Sequence, residues 1–207
     1  MKGSLEAIEK NRDGEFVVVP ACEVTTNVGD ILGYFLRDEV NPGDAFDVID
    51  DIKAVGGIAV LAHPYKRTSS YPPKLLKKLD ALEGFNARIG KASRLQRCWN
   101  LAKTYGLPMT GGSDAHFYFE IGHGITMLRG AVDLEDLRRG IERRETKLIG
   151  TLSSWAVEPA SQTIKMLKTR NPWLSVNVSL SLIRKLMGRE QQFAGKHDGL
   201  EVRDSAY

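Results

Sequence analysis

Gly57-Ile58-Ala59-Val60-Leu61-Ala62-His63-Pro64 is the stretch that decides the fold. It is a short apolar run with β-branched residues, too short for a buried helix, and it reads as a strand that ends in an imidazole. Immediately upstream, in Asp44–Val55, the apolar residues Ala45, Val48, Ile49 and Ile52 recur at helical spacing on one face. Asp44 caps that helix and Gly56-Gly57 stops it. Working outward, further strands are expected at Glu15–Pro20, Ile31–Leu36, Ala81–Phe85, Leu107–Gly111 and Gly124–Leu128. Helices are expected at Lys91–Tyr105, with Ala92, Leu95, Trp99 and Ala102 on one face, and at Asp133–Arg143, with Leu134, Leu137 and Ile141. Strand and helix alternating at this spacing predict an α/β fold with mostly parallel strands. Polar residues at the carboxyl ends of such strands face the active site.

Composition narrows the class of protein. A chain of 207 residues is long enough for one substantial domain or a domain with an appendage. Hydrophobic residues at 42% and charged residues at 27% are ordinary for a soluble globular protein, and a net charge of +3 is too small to argue for nucleic acid by itself. Cys22 and Cys98 form no disulfide framework, and no apolar run resembles a signal peptide or a membrane span. A cytoplasmic protein is the expectation.

Three apolar runs end in groups that are hard to bury. Val17–Glu23 ends in a carboxylate, Gly57–Pro64 in His63, and Pro108–His116 in both Asp114 and His116. An unpaired buried carboxylate is costly, and metal coordination is one way to satisfy it. Imidazole and carboxylate together suit zinc, manganese or iron. Asp114-x-His116 lets two groups leave a strand end on one side, and Gly111-Gly112 before it allows close backbone approach. Each signal alone has a plainer reading: His63 as a hydrogen-bonded core residue, Glu23 as a surface carboxylate, Asp-x-His as coincidence. Their common position at one end of consecutive α/β units favours a metal. Cys22 should point away from Glu23, into the core.

The same stretches resemble a family. Pro20-Ala21-Cys22-Glu23-Val24-Thr25-Thr26 with Gly29-Asp30-Ile31-Leu32-Gly33, then Ala62-His63-Pro64, then Gly112-Ser113-Asp114-Ala115-His116, are similar in order and spacing to motifs of the PHP (polymerase and histidinol phosphatase) phosphoesterases. The likeness runs from about Glu15 to Met127. It implies a distorted (β/α)7 TIM-like barrel and makes Glu23, His63, Asp114 and His116 ligands in a cluster of two or three divalent ions. It also implies hydrolysis of phosphate esters, with a phosphate-ester or nucleotide substrate. The family's opening His-x-His strand has no counterpart here, so the barrel is expected to be incomplete, lacking its first strands, with impaired activity; a fragment is the favoured reading, beside missing strands supplied by a partner chain and a degenerate, non-catalytic descendant. Lys66 and Arg67, after His63, and Arg88, after the strand at Phe85, are candidates for binding substrate phosphate. An exposed loop without such a role is the other reading of each.

Residues 1–150 are therefore expected to form the partial PHP domain, and 151–207 a basic helical extension with a frayed tail. Between Pro159 and Arg189 the charged residues are all basic, Lys165, Lys168 and Arg170 among them. This supports an alternative function, a non-catalytic module that binds nucleic acid or another anionic partner. His123, near the Asp-x-His motif, reads as a loop histidine without a metal role. No Gly-x-Gly-x-x-Gly, Gly-x-Ser-x-Gly or phosphate loop is present. Oligomeric state stays open.

Overall fold

Nearly every expected element forms, but the strands run differently. The computed structural model describes residues 1–11, 16–154, 157–169, 196–197 and 200–203. Its elements are α1 (Lys2–Lys10), β1 (Ala21–Thr26), β2 (Gly29–Tyr34), α2 (Ala45–Ala54), β3 (Ile58–Leu61), α3 (Pro73–Leu76) and β4 (Ala81–Asn86). They continue with α4 (Ala92–Tyr105), β5 (Met109–Gly112), β6 (Gly124–Met127), α5 (Leu134–Glu142), β7 (Lys147–Thr151), α6 (Val157–Thr169), β8 (Lys196–His197) and β9 (Leu200–Arg203).

The first strand starts at Ala21, not within the expected Glu15–Pro20; of that run, residues 16–20 are described and lie outside any strand. Pro20, without an N–H, stands just before the ladder begins. Strands β1 to β5 form one sheet in sequence order. Pairs β3–β4 and β4–β5 are parallel, as expected. Pairs β1–β2 and β2–β3 are antiparallel, which departs from the mostly parallel expectation. The two-residue turn at Asn27-Val28 accounts for the first of these, because only antiparallel strands can be joined so tightly; β2 and β3 are joined through α2. A second sheet has the order β6-β7-β9-β8. Among the described residues the strands do not close into a barrel; the architecture is mixed α/β.

Both faces of the first sheet are covered. Val48, Ile49 and Ile52 of α2 pack with Ile31, Leu61, Leu82, Cys98 and Ala102, and Cys22 borders this core as expected. On the opposite face Ile141 of α5 packs with Ile58, Val60 and Ala81. Strand β4 is therefore buried along its whole length. A third cluster joins Phe85, Leu95 and Trp99 to Leu148 of β7 and ties the second sheet to the first. Asp44 accepts the Phe46 N–H at 2.9 Å and Asp133 the Asp136 N–H at 2.8 Å, so both expected N-caps form. Gly106, at φ 63°, ends α4 in the left-handed conformation.

In the C-terminal stretch, expected to be a helical extension, α6 spans Val157–Thr169. Within the segment expected to be frayed, Leu200–Arg203 pairs in parallel with β7. Arg170 of the basic run, and residues 171–189 after it, lie outside the described residues. Among the described residues no helix is long and apolar enough to cross a membrane.

Candidate metal centre

Three adjacent strands bring Glu23, Asp30 and His63 together. Glu23 lies on β1, Asp30 near the start of β2, and His63 just past the end of β3. The Asp30 carbonyl accepts the Ala62 N–H at 3.0 Å, which fixes the β2 start beside the β3 end. One ligand atom from each of the three side chains lies within 4.8 Å of the others. His63 Nε2 is 3.1 Å from Glu23 Oε1 and 3.4 Å from Asp30 Oδ2. The imidazole beside Glu23 holds that carboxyl below its ordinary range, against the opposing effects of burial and of the Asp114 charge.

Asp30 is only 3% exposed. Its Oδ2 meets Arg67 Nη1 at 2.7 Å, but its Oδ1 is buried with no hydrogen-bond partner. Buried carboxylate oxygens are rarely left so, and an ion is one of the few groups that would satisfy this one. Two carboxylates and an imidazole form a donor set suited to zinc, manganese or iron, so these residues fit a divalent cation.

The backbone at the site is held under constraint. His63 has φ 29° and Asp114 has φ 49°, both in the left-handed region that few side chains enter. For His63 the constraint is sharper, because the residue before a proline favours extended backbone. A buried carboxylate stabilises it: Glu83 Oε2 accepts the His63 N–H at 2.6 Å and an Asn86 side-chain N–H at 3.1 Å. Burial pushes the Glu83 carboxyl up to about 7, with those two donors pulling the other way. Gly112 makes room for this carboxylate, since a Cβ there would stand 2.7 Å from Glu83 Oε1. The close approach expected of the paired glycines is thus real.

Asp114 borders the cluster; its charge raises both Glu23 and Glu83, and its Oδ2 holds Lys66 Nζ at 3.0 Å. His116 is turned back on its own chain, with Nδ1 2.9 Å from the Asp114 carbonyl and 3.7 Å from Asp114 Oδ1. Of the four expected ligands, Glu23 and His63 therefore touch, Asp114 is adjacent, and the His116 ring is half exposed beside it. Lys66 and Arg67 both sit on carboxylates of the site. Arg88 does not: its side chain is 6% exposed, its Nε lies 3.5 Å from Glu120 Oε1, and Nη2 donates to Ser161 Oγ at 2.7 Å. It is engaged in the interior rather than offered to a substrate. His123 is half-buried with Nδ1 3.5 Å from Ser153 Oγ.

Residues 93–146 match the PHP-associated family model PHP_C. The fold is similar to that of a two-domain protein from Bacteroides vulgatus described as containing a predicted PHP-like metal-dependent phosphoesterase, at TM-score 0.58 and 18% identity over 72% of this chain and 51% of that one. Both likenesses are to PHP proteins, over part of the chain in sequence and at the level of the fold in structure. PsfC from Pseudomonas syringae is also similar in structure, at TM-score 0.50 and 20% identity over 82% of this chain and 66% of PsfC. Two uncharacterized proteins of Methanocaldococcus jannaschii are similar in sequence. MJ0417 is 30% identical over 115 residues, covering 51% of this chain and 48% of its own length. MJ1587 is 30% identical over 90 residues, covering 42% and 53%. The chain thus spans about half the length of the curated relatives it matches.

Sequence reasoning missed Asp30 and Glu83. A parallel sheet places site residues at the carboxyl ends of its strands. Asp30 stands at the opposite end of its own strand, and antiparallel pairing carries that end to the site. Glu83 lies inside an apolar strand, where its only signal was a carboxylate among residues buried on both faces.

Proposed function

We propose that this chain carries part of the catalytic centre of a metal-dependent phosphoesterase. Glu23, Asp30 and His63 would hold a divalent cation of the zinc, manganese or iron kind, with Asp114 and His116 at its border. Residues 1–150 would be an incomplete, distorted (β/α)7 barrel and 151–207 an appended segment, in a cytoplasmic protein. The observation that carries the reading is the buried, unpartnered Asp30 Oδ1 inside a cluster of ligand-type atoms.

When bound, the ion supplies Lewis acidity toward a phosphoryl oxygen. The protein's own groups set the electrostatics around it. Lys66 on Asp114 and Arg67 on Asp30 balance the carboxylates of the metal-free site. With a cation held by Glu23, Asp30 and His63, Lys66 and Arg67 would be available to bind a phosphate ester, Arg67 through a two-pronged contact. Glu83, with its raised affinity for protons, keeps the His63 backbone fixed.

The test is divalent-metal analysis together with hydrolysis of p-nitrophenyl phosphate. Metal and activity should both be lost in His63→Ala and reduced in Asp114→Ala. A wild-type protein that neither takes up Mn2+ or Zn2+ nor changes on these substitutions would refute the reading. Salt-dependent binding of an oligonucleotide that persists in Glu23→Ala would then favour the non-catalytic module.

A further inference from the structure

The two turns that carry candidate ligands are each held by a buried carboxylate on a backbone amide. Glu83 does this for His63, and Glu120 does it for the Asp114–His116 turn. Glu120 is completely buried, yet its Oε2 accepts both the His116 N–H at 2.9 Å and the Phe117 N–H at 3.1 Å. Its Oε1 accepts the Ser153 hydroxyl at 2.9 Å and faces Arg88 Nε at 3.5 Å. Arg88 in turn donates to Ser161 Oγ, on α6, at 2.7 Å.

The two anchors are linked to one another. The Arg88 N–H donates to Asn86 Oδ1 at 2.8 Å, and the Asn86 side chain donates to Glu83 Oε2 at 3.1 Å. A chain of contacts therefore runs from the His63 amide through Glu83 and Asn86 to the Arg88 backbone, and from the Arg88 guanidinium through Glu120 to the His116 amide. It passes under the site from one ligand-bearing turn to the other, and a branch at Arg88 reaches α6.

We infer that Glu120, oriented by Arg88, is a positioning residue for the metal site, and that Ser161 couples α6 to it. The inference rests on the metal-site reading above and goes beyond it, because neither Glu120 nor Ser161 is a candidate ligand. The Asp114 backbone is left-handed at φ 49°, so the turn needs external support to stay where it is. Two amide hydrogen bonds to one carboxylate that also faces the Arg88 guanidinium supply that support, and hydrogen bonds within such an ion pair are stronger than neutral ones. A buried carboxylate facing a buried guanidinium also cannot shift without leaving a charge unpaired.

The experiment is a Mn2+ titration of the intact chain, followed by electron paramagnetic resonance of the free ion, for wild type, Glu120→Gln and Ser161→Ala. Thermal unfolding in EDTA is recorded alongside. Loss of a group that orients metal ligands typically weakens metal affinity about 10–100-fold, and Glu120→Gln should fall in that range. Ser161→Ala keeps the Arg88–Glu120 pair and should weaken Mn2+ binding by roughly 2–5-fold, a smaller share of the same effect, while the hydrogen bond lost from Arg88 lowers its unfolding temperature in EDTA by only a few degrees. A purely structural role would lower the unfolding temperature in EDTA and leave the Mn2+ Kd alone. If Glu120→Gln does not fold, Ser161→Ala decides. Mn2+ binding in wild type with the same Kd in every folded variant overturns the positioning role and leaves the metal site standing. No Mn2+ binding in wild type overturns both.

Discussion

Asp30→Asn should stabilise the metal-free protein while removing its response to metal. In the metal-free state Asp30 is a buried carboxylate with one oxygen paired to Arg67 and one with no partner. An unsatisfied buried polar atom costs ~1–3 kcal/mol, and more when it is charged. Arg67 offsets only part of this, since its side chain is 64% exposed and its charge is screened by water. Asparagine keeps the shape, can still accept from Arg67, and removes the charge. A gain of about 1–2 kcal/mol is expected, which for a chain of this size raises the unfolding temperature by roughly 2–8 °C. Wild type should gain about 2.7 kcal/mol on adding Mn2+ at a hundred times its Kd. Asp30→Asn should gain little, having lost a ligand oxygen from the three-residue cluster. Circular dichroism melts in EDTA and in Mn2+ read both halves. If Asp30→Asn loses more than ~1 kcal/mol in EDTA, Asp30 is a structural partner of Arg67 and His63 and the argument from the unpaired oxygen is wrong. A full Mn2+ response in the variant would refute it equally.

Two further predictions follow from groups around the site. Glu83 is shifted from an ordinary value of 4.5 up to about 7 by burial, so between those values the folded state holds more protons than the unfolded one. Stability of the metal-free protein should therefore fall as pH rises from 4.5 through 7, by ~3 kcal/mol in total. Glu83→Gln should flatten that decline in denaturant melts, and an unaltered pH profile in the variant would contradict the assignment. At Gly150 a Cβ would stand 2.0 Å from the buried Phe85 ring. Gly150→Ala should destabilise by roughly 2–3 kcal/mol through overpacking, and a urea midpoint matching wild type would show that β7 does not pack on β4 as described.

Sequence alone determined the local elements whose signals are local. The apolar stripes of Asp44–Val55, Lys91–Tyr105 and Asp133–Arg143, with Asp44 and Asp133 as caps and Gly106 as a stop, predicted α2, α4 and α5 to within a residue or two. Periodicity and capping depend on neighbours three or four positions away, and those are written in the chain. The motifs ending in Glu23, His63 and Asp114 were legible for a similar reason: a charged or imidazole group after an apolar run stands out without knowledge of its partners.

Tertiary structure decided what those groups meet. Strand direction is set by pairing across dozens of residues, and the antiparallel start of the sheet carried Asp30 to the site from the end of a strand that the parallel expectation ignored. Arg88 and Lys66 look alike in sequence, each a cation after a strand. One is buried against Glu120, whose side chain comes from a distant loop, and the other reaches Asp114 beside the cluster. Glu83 and Glu120 read as ordinary carboxylates until the fold buries them and supplies the backbone amides they hold. Burial and partnership belong to the packed molecule, because they depend on residues far apart in the chain.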